Sequence, residues 1–218
     1  MNSIKAVAFD LDGLLLDTET VALETFVEAC RANQFEPDTE IYQRCVGTTY
    51  SDVETILKTG YGDEFPYDGV MALWNKRYAE EALNKPVALK EGVLSLLRRL
   101  ETLGIKRGVV TSSKTSSAVK KLTNAGIFEY FQVVVCGDQI SKGKPDPEIY
   151  RTASEKLGEV PAYCLALEDS DNGVRSAIQA GFIVVQIPDL KVPSAEVRGM
   201  GHSILKSLLD VQALFEER

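Results

Sequence analysis

The sequence predicts an α/β fold, a doubly wound and mostly parallel sheet interrupted after its first strand by an all-helical insert. Three observations carry that expectation. Five runs, at 4–9, 105–111, 132–136, 163–168 and 182–187, are short and almost continuously apolar. Such runs suit parallel strands covered on both faces. From about 90 to 190, helical patterns alternate with these runs, as in a series of right-handed βαβ units. Between about 15 and 84 the alternation stops and no convincing strand run occurs.

Each element follows from its residues. IKAVAF forms the first strand, and the insert reads as helices over 19–33, 52–59 and 66–83. Val21, Phe26, Val27 and Ala29 give the first of these an apolar face. Ser51-Asp52-Val53-Glu54 reads as a capping box for the second. Lys85-Pro86 marks the return to the sheet. Val93, Leu96, Leu97, Leu100 and Leu103 then form one stripe over 91–103, stopped by Gly104. Val119 and Leu122 continue the pattern in a helix over 114–125, ahead of Gly126. Pro145-Asp146-Pro147 predicts a helix start, with Asp146 as N-cap and Pro147 at the first helical position. Val174, Ala177 and Ile178 precede another stop at Gly181. The expected organisation is a Rossmann-like α/β core at 1–14 and 88–218, with a helical cap domain at 15–87.

Composition narrows the function classes. The 218 residues include 24 Lys+Arg and 32 Asp+Glu, a net charge of -8. That balance argues against nucleic acid or an acidic membrane surface as the main partner. An acidic chain that handles an anion needs a local patch or a metal ion. No run approaches the ~18 apolar residues of a membrane span. The N-terminal apolar run is broken by Asp10, Asp12 and Asp17, so it does not read as a signal peptide. Cys30, Cys45, Cys136 and Cys164 have neither CxxC nor zinc-site spacing, and free buried thiols in a cytoplasmic protein are expected. His202, the only histidine, lies in GMGHS with no nucleophile motif elsewhere, so histidine-based nucleophilic catalysis is not expected.

Four pieces at predicted strand ends point toward one site, because open α/β sheets bind ligands outside the carboxyl ends of their strands. The first is Asp10-Leu11-Asp12-Gly13. Two carboxylates two residues apart on extended chain face the same side. Such a pair suits a hard divalent cation, or a division of labour between nucleophile and acid/base. The second is Thr111-Ser112-Ser113 just before a helix, where hydroxyls and N–H groups suit an anion. The third is Lys144, fixed between Gly143 and Pro145 and able to neutralise a phosphate. The fourth is Leu167-Glu168-Asp169-Ser170-Asp171-Asn172, in which Glu168 and Asp169 would complete a cation site begun by Asp10. Each alone also reads as a turn, a helix cap or a surface lysine. Their order and placement together are specific.

With these motifs the sequence resembles the haloacid dehalogenase-like hydrolase superfamily, in its phosphatase and phosphomutase branch with a helical cap. The resemblance covers essentially the whole chain. It rests on Asp10-Leu11-Asp12-Gly13 with Asp17-Thr18-Glu19, then Thr111-Ser112, Lys144-Pro145 and Glu168-Asp169-Ser170. It implies that Asp10 attacks phosphorus to form an aspartyl-phosphate. Asp12 would protonate the leaving oxygen and later take a proton from water. Mg²⁺ is implied on the Asp10 carboxylate, the Asp12 backbone carbonyl and Asp169, with Glu168 ligating or ordering bound water. Thr111, the Ser112 backbone and Lys144 would hold the phosphoryl oxygens.

The resemblance also frames the choice of reaction. Metal-independent dehalogenases of the superfamily lack the second aspartate, so Asp12 points to phosphoryl transfer. The β-phosphoglucomutases carry a histidine and an arginine where ungapped matching gives Ala22 and Tyr50. A hydrolase is therefore expected. The alternative is a sugar phosphomutase with Arg44, Lys76 or Arg77 serving as the second-phosphate clamp. A phospho-acceptor signalling module is a third reading, disfavoured by the helical insert, which suits a water-excluding lid. The loop 46–51, with Gly47, Thr48 and Tyr50, is the expected specificity element, and its hydroxyls suit a sugar or polyol phosphate. The expected partner is a small phosphorylated substrate, and the expected state is a monomer or weak homo-oligomer.

Overall fold

Strands β1 (Ala6–Phe9), β2 (Lys106–Thr111), β3 (Val133–Cys136), β4 (Cys164–Glu168), β5 (Ile183–Gln186) and β6 (Ser203–Ile204) form one parallel sheet in the order β3-β2-β1-β4-β5-β6. The computed structural model describes residues 4–48 and 50–215, with the backbone alone at Tyr50 and Ser51. Every residue of β1 is buried, as the unbroken run AVAF requires. Alternation along β1 sends Val7 and Phe9 to one apolar layer and Ala6 and Ala8 to the other. Fully burying each large side chain, such as Phe9, contributes ~1.5–3 kcal/mol. Strand order reverses at β1, so the chain diverges at its carboxyl end and leaves a crevice there.

The helices that flank the sheet are α5 (Val93–Thr102), α6 (Thr115–Asn124), α7 (Glu148–Leu157), α8 (Asp171–Gln179), α9 (Ala195–Arg198) and α10 (Leu208–Ala213). Before them come α1 (Thr18–Ala32), α2 (Thr39–Gln43), α3 (Tyr50–Tyr61) and α4 (Tyr67–Tyr78), the last running into a wider turn at Ala79–Leu83. This helical region has its own apolar centre. Phe26 lies 4.9 Å from Tyr42 and 5.2 Å from Trp74 between ring centroids. Two adjacent chain crossings join it to the sheet. Asp17 N–H donates to the Ala88 carbonyl (2.9 Å), and Lys90 N–H donates to the Leu15 carbonyl (3.0 Å).

Several elements depart from the sequence reading. The edge strand β6 is only two residues long and both are exposed, so it has no apolar run to announce it. Helix α2 is five residues, too short for a period to register. Pro147 stands one position before α7 and Asp146 Oδ1 accepts from Glu148 N–H, so the predicted start shifts by one residue. Helix α3 begins at Tyr50, so Ser51 lies inside it rather than capping it, and the side-chain half of that capping box lies outside the described residues. All four cysteines are free and buried. Among the described residues no helix is long and apolar enough to cross a membrane.

Candidate active site

Chain ends of β1, β2 and β4 converge on a cleft of about 460 Å³, lined by Asp10, Asp12, Thr111, Ser112, Lys144 and Asp169 from the sheet side. Glu19, Gly47 and Thr48 line it from the helical region. Asp10 follows β1 directly, and its N–H donates to the Leu167 carbonyl, which ties it to β4. At Gly13 the backbone has φ 84°, and a Cβ there would lie 2.5 Å from Asp169 Oδ2. Glycine thus permits both the sharp turn and the close approach of Asp169.

Lys144 is the hub of the Asp10 side. Its ammonium donates to Asp10 Oδ1 (2.5 Å), Glu168 Oε1 (2.6 Å) and the Val110 carbonyl (3.1 Å). Its side chain is only 5% exposed, so the surface-lysine reading fails. Glu168 is fully buried and also accepts from the Tyr150 hydroxyl (2.5 Å). A Cβ at Gly173 would collide with the Glu168 carboxylate, so that glycine is required by packing. Burial, opposed by Lys144 and reinforced by Glu168 and Asp12, pushes the Asp10 carboxyl up to about 7. Asp169 is raised well above the usual carboxylate range, chiefly by burial and then by Asp10 and Glu168.

Asp12 lives differently. Lys121 Nζ donates to its Oδ1 (2.6 Å) and the Ser113 hydroxyl donates to its Oδ2 (2.8 Å). Burial alone would raise Asp12, but the charge and hydrogen bond of Lys121, with Ser113 and Thr18, outweigh it and hold the carboxyl below its ordinary value. Glu19, at the mouth, is pushed up to about 7 by burial and then by Asp12 and Asp189.

Asp10, Glu168 and Asp169 bring carboxylate oxygens within 4.8 Å of one another. An all-oxygen donor set of this kind fits a hard divalent cation, and the raised Asp10 and Asp169 are groups whose charge a cation would relieve. The Asp12 carboxylate stands apart from that cluster. Thr111 is buried and its Oγ1 accepts from Ser113 N–H (3.0 Å), so its hydroxyl braces the turn at 111–113. Ser112 is exposed at the cleft wall. Gly47 and Thr48 reach the cleft, and the Gly47 carbonyl accepts from Asn172 Nδ2 (2.9 Å), which latches the loop to α8. The Tyr50 side chain lies outside the described residues. Arg44, Lys76 and Arg77 do not line the cleft, and Arg77 pairs with Glu80. His202 is away from it, bonded to Gln186 (2.9 Å).

A profile of the haloacid dehalogenase-like hydrolases matches residues 7–187. The chain belongs to this family. Among the relatives of this haloacid dehalogenase-like hydrolase is the phosphorylated carbohydrates phosphatase of Thermotoga maritima, 30% identical over 181 residues, covering 82% of each chain. The β-phosphoglucomutase of Bacillus subtilis is 32% identical over 192 residues, covering 84% of this chain and 83% of the relative. The crystal structure of CbbY from Rhodobacter sphaeroides in complex with phosphate superposes with a TM-score of 0.73 at 27% identity, over 95% of this chain and 96% of that one.

Two residues of the site escaped the sequence reading, Lys121 and Tyr150, and a third, Asn172, stood at the end of the fourth strand-end piece with no role assigned. The first two left a signal. Lys121 lies between Ala118 and Leu122 on the buried stripe of α6, and Tyr150 beside Ile149 and Ala153 on that of α7. A lysine or phenol on such a stripe needs a buried partner. Asn172 sits in the first turn of α8, where a polar residue is unremarkable in sequence.

Proposed function

We propose that this hydrolase is a Mg²⁺-dependent phosphatase of small phosphorylated metabolites, sugar or polyol phosphates, working through an aspartyl-phosphate on Asp10. The observation that carries the reading is the division between the two carboxylates. Asp10 faces Lys144 and the Glu168–Asp169 cluster, while Asp12 is held a short distance away by a lysine of its own. One suits a nucleophile and the other a proton carrier.

Asp10, Asp169 and the Asp12 carbonyl would hold Mg²⁺, with Glu168 behind them. When bound, the ion neutralises phosphoryl charge and carboxylate repulsion. The rest is done by the chain. Thr111, the Ser112 backbone and Lys144 orient the phosphoryl oxygens. An Asp10 oxygen bonds to phosphorus as the ester P–O bond breaks, and the Asp12 proton passes to the leaving oxygen. Water then attacks phosphorus, gives its proton to the Asp12 carboxylate, and releases Asp10 and inorganic phosphate. Lys121 favours the charged form of Asp12 in the free protein, and an arriving phosphate dianion raises its proton affinity. Helices α1–α4 would exclude water and read the leaving group.

Hydrolysis is favoured over mutase chemistry because Lys144 is the only cation among the described residues lining the cleft, and it is bonded to Asp10 and Glu168. A bisphosphate intermediate would need a second clamp. A screen of sugar, polyol and small-acid phosphates with Mg²⁺, reading both free phosphate and isomerised product, tests the reading. Phosphate release with a trappable phospho-Asp10 is expected. An isomer without free phosphate would establish the mutase, and a long-lived phosphoprotein without turnover would establish a signalling module.

A further inference from the structure

We infer that Lys121 is the positioning residue for the proton-carrying carboxylate of Asp12, anchored from the helical region by Tyr78. The inference rests on the acid/base reading of Asp12 given above. Lys121 leaves α6 into the interior and its side chain is 3% exposed. Its ammonium has two partners, Asp12 Oδ1 at 2.6 Å and the Tyr78 hydroxyl at 3.1 Å. The Tyr78 ring centroid lies 5.4 Å from the same nitrogen, within cation–π reach. With Ser113 on Oδ2, both carboxylate oxygens of Asp12 are tied, and its plane is fixed.

Beyond Asp12 and Tyr78, the charge that reaches Lys121 is that of Glu19 at the mouth of the cleft. Its neighbours on the inner face of α6, Ala118 and Leu122, are buried and apolar. A lone buried ammonium is strongly destabilising, so a lysine here is tolerated only with its carboxylate. The carboxylate it holds is the one that must come within ~2.6–3.2 Å of a leaving oxygen. Tyr78 ends α4, so half of this clamp belongs to the sheet region and half to the helices above it.

A proton carrier matters in proportion to how badly the leaving group needs a proton. That gives a test a purely structural role does not mimic. Wild type, Lys121→Met, Lys121→Arg, Tyr78→Phe and Asp12→Asn are compared on a sugar phosphate and on 2,4-dinitrophenyl phosphate with Mg²⁺. The readout is kcat/KM, which reports ester cleavage up to aspartyl-phosphate formation. Lys121→Met is expected to lose about 10²-fold on the sugar phosphate, and at least tenfold less on the aryl ester. Lys121→Arg recovers part of that loss, and Tyr78→Phe shows a smaller loss with the same selectivity. In the Asp12→Asn background, Lys121→Met adds under about threefold. Equal losses on the two esters, or losses that multiply with Asp12→Asn, would overturn the inference. Should Lys121→Met fail to fold, the Tyr78→Phe selectivity decides alone. Failure of the functional reading is seen separately, as a wild type inactive on both esters or an Asp12→Asn variant without leaving-group selectivity.

Discussion

Asp10 and Asp12 stand two residues apart at the end of one strand, and the protein treats them oppositely. Asp10 shares its lysine with Glu168 and lies beside Asp169, and its carboxyl is pushed up to about 7 by burial and by those acids. Asp12 has Lys121 and Ser113, and although it too is drawn partly out of water it is held below the ordinary carboxylate range. The lesson is that a pair of carboxylates acquires its roles from the third side chain each one meets. Three acids around one ammonium leave negative charge to be neutralised, which is the condition for binding a cation. One acid on one ammonium is balanced, which is the condition for a fixed proton carrier.

The largest expected break in this contrast is Asp10→Asn. It should lower phosphate release by more than about 10³-fold while phospho-enzyme trapping disappears. A rate within tenfold of wild type would remove Asp10 as nucleophile. Next is Lys144→Ala, which uncovers Asp10 and Glu168 together. Turnover should drop by about 10²-fold. Removing one partner of so buried an ion pair should also cost about 3 kcal/mol in stability. Both are read from steady-state kinetics and denaturant melts, and an unchanged kcat would return Lys144 to a structural post.

A third effect concerns pH and metal. A carboxyl raised from 3.8 to about 7 makes the folded state bind the extra proton, so its contribution to stability is full below 3.8 and lost as pH rises through about 7. A cation requires the deprotonated acids. The rise in melting temperature on adding Mg²⁺ should therefore be larger at about pH 8 than at about pH 5.5. A shift that is equal at both, or larger in acid, would contradict the cluster as its site. The smallest effect is expected where neither carboxylate is touched. Asn172→Ala frees the Gly47 carbonyl and should raise KM a few-fold, about 1 kcal/mol, with kcat close to wild type. A kcat loss as large as that of Lys144→Ala would mean the loop does more than shape the cleft.

Much of the site was legible because its pieces sit where apolar strands stop. A run such as AVAF ends at Asp10 and CLALE ends at Glu168, and parallel strands must bring those ends together. Thr111 and Lys144 were legible by the same logic, through the strand and the Gly–Pro flanks that aim them. What was not legible is which carboxylate meets which ammonium. The distance in chain from Asp12 to Lys121 is 109 residues, and no local pattern encodes that meeting. The short elements α2 and β6 were missed because neither buries enough consecutive residues to impose a period. The loop through Gly47 and Thr48 does reach the cleft, but its tie to Asn172, 125 residues away, is a long-range contact that no local pattern encodes.

Trp74 carries a practical consequence. It is the only tryptophan in the chain, it lies in α4 against Phe26 and Tyr42, and its indole N–H donates to the Ala22 carbonyl of α1 (2.9 Å). Its fluorescence is therefore a private reporter of the four-helix region, silent about the sheet. Far-ultraviolet dichroism sums over both. Coincident melting curves from the two signals would describe one cooperative unit, and an early emission change would time the loosening of the helices on an otherwise intact sheet.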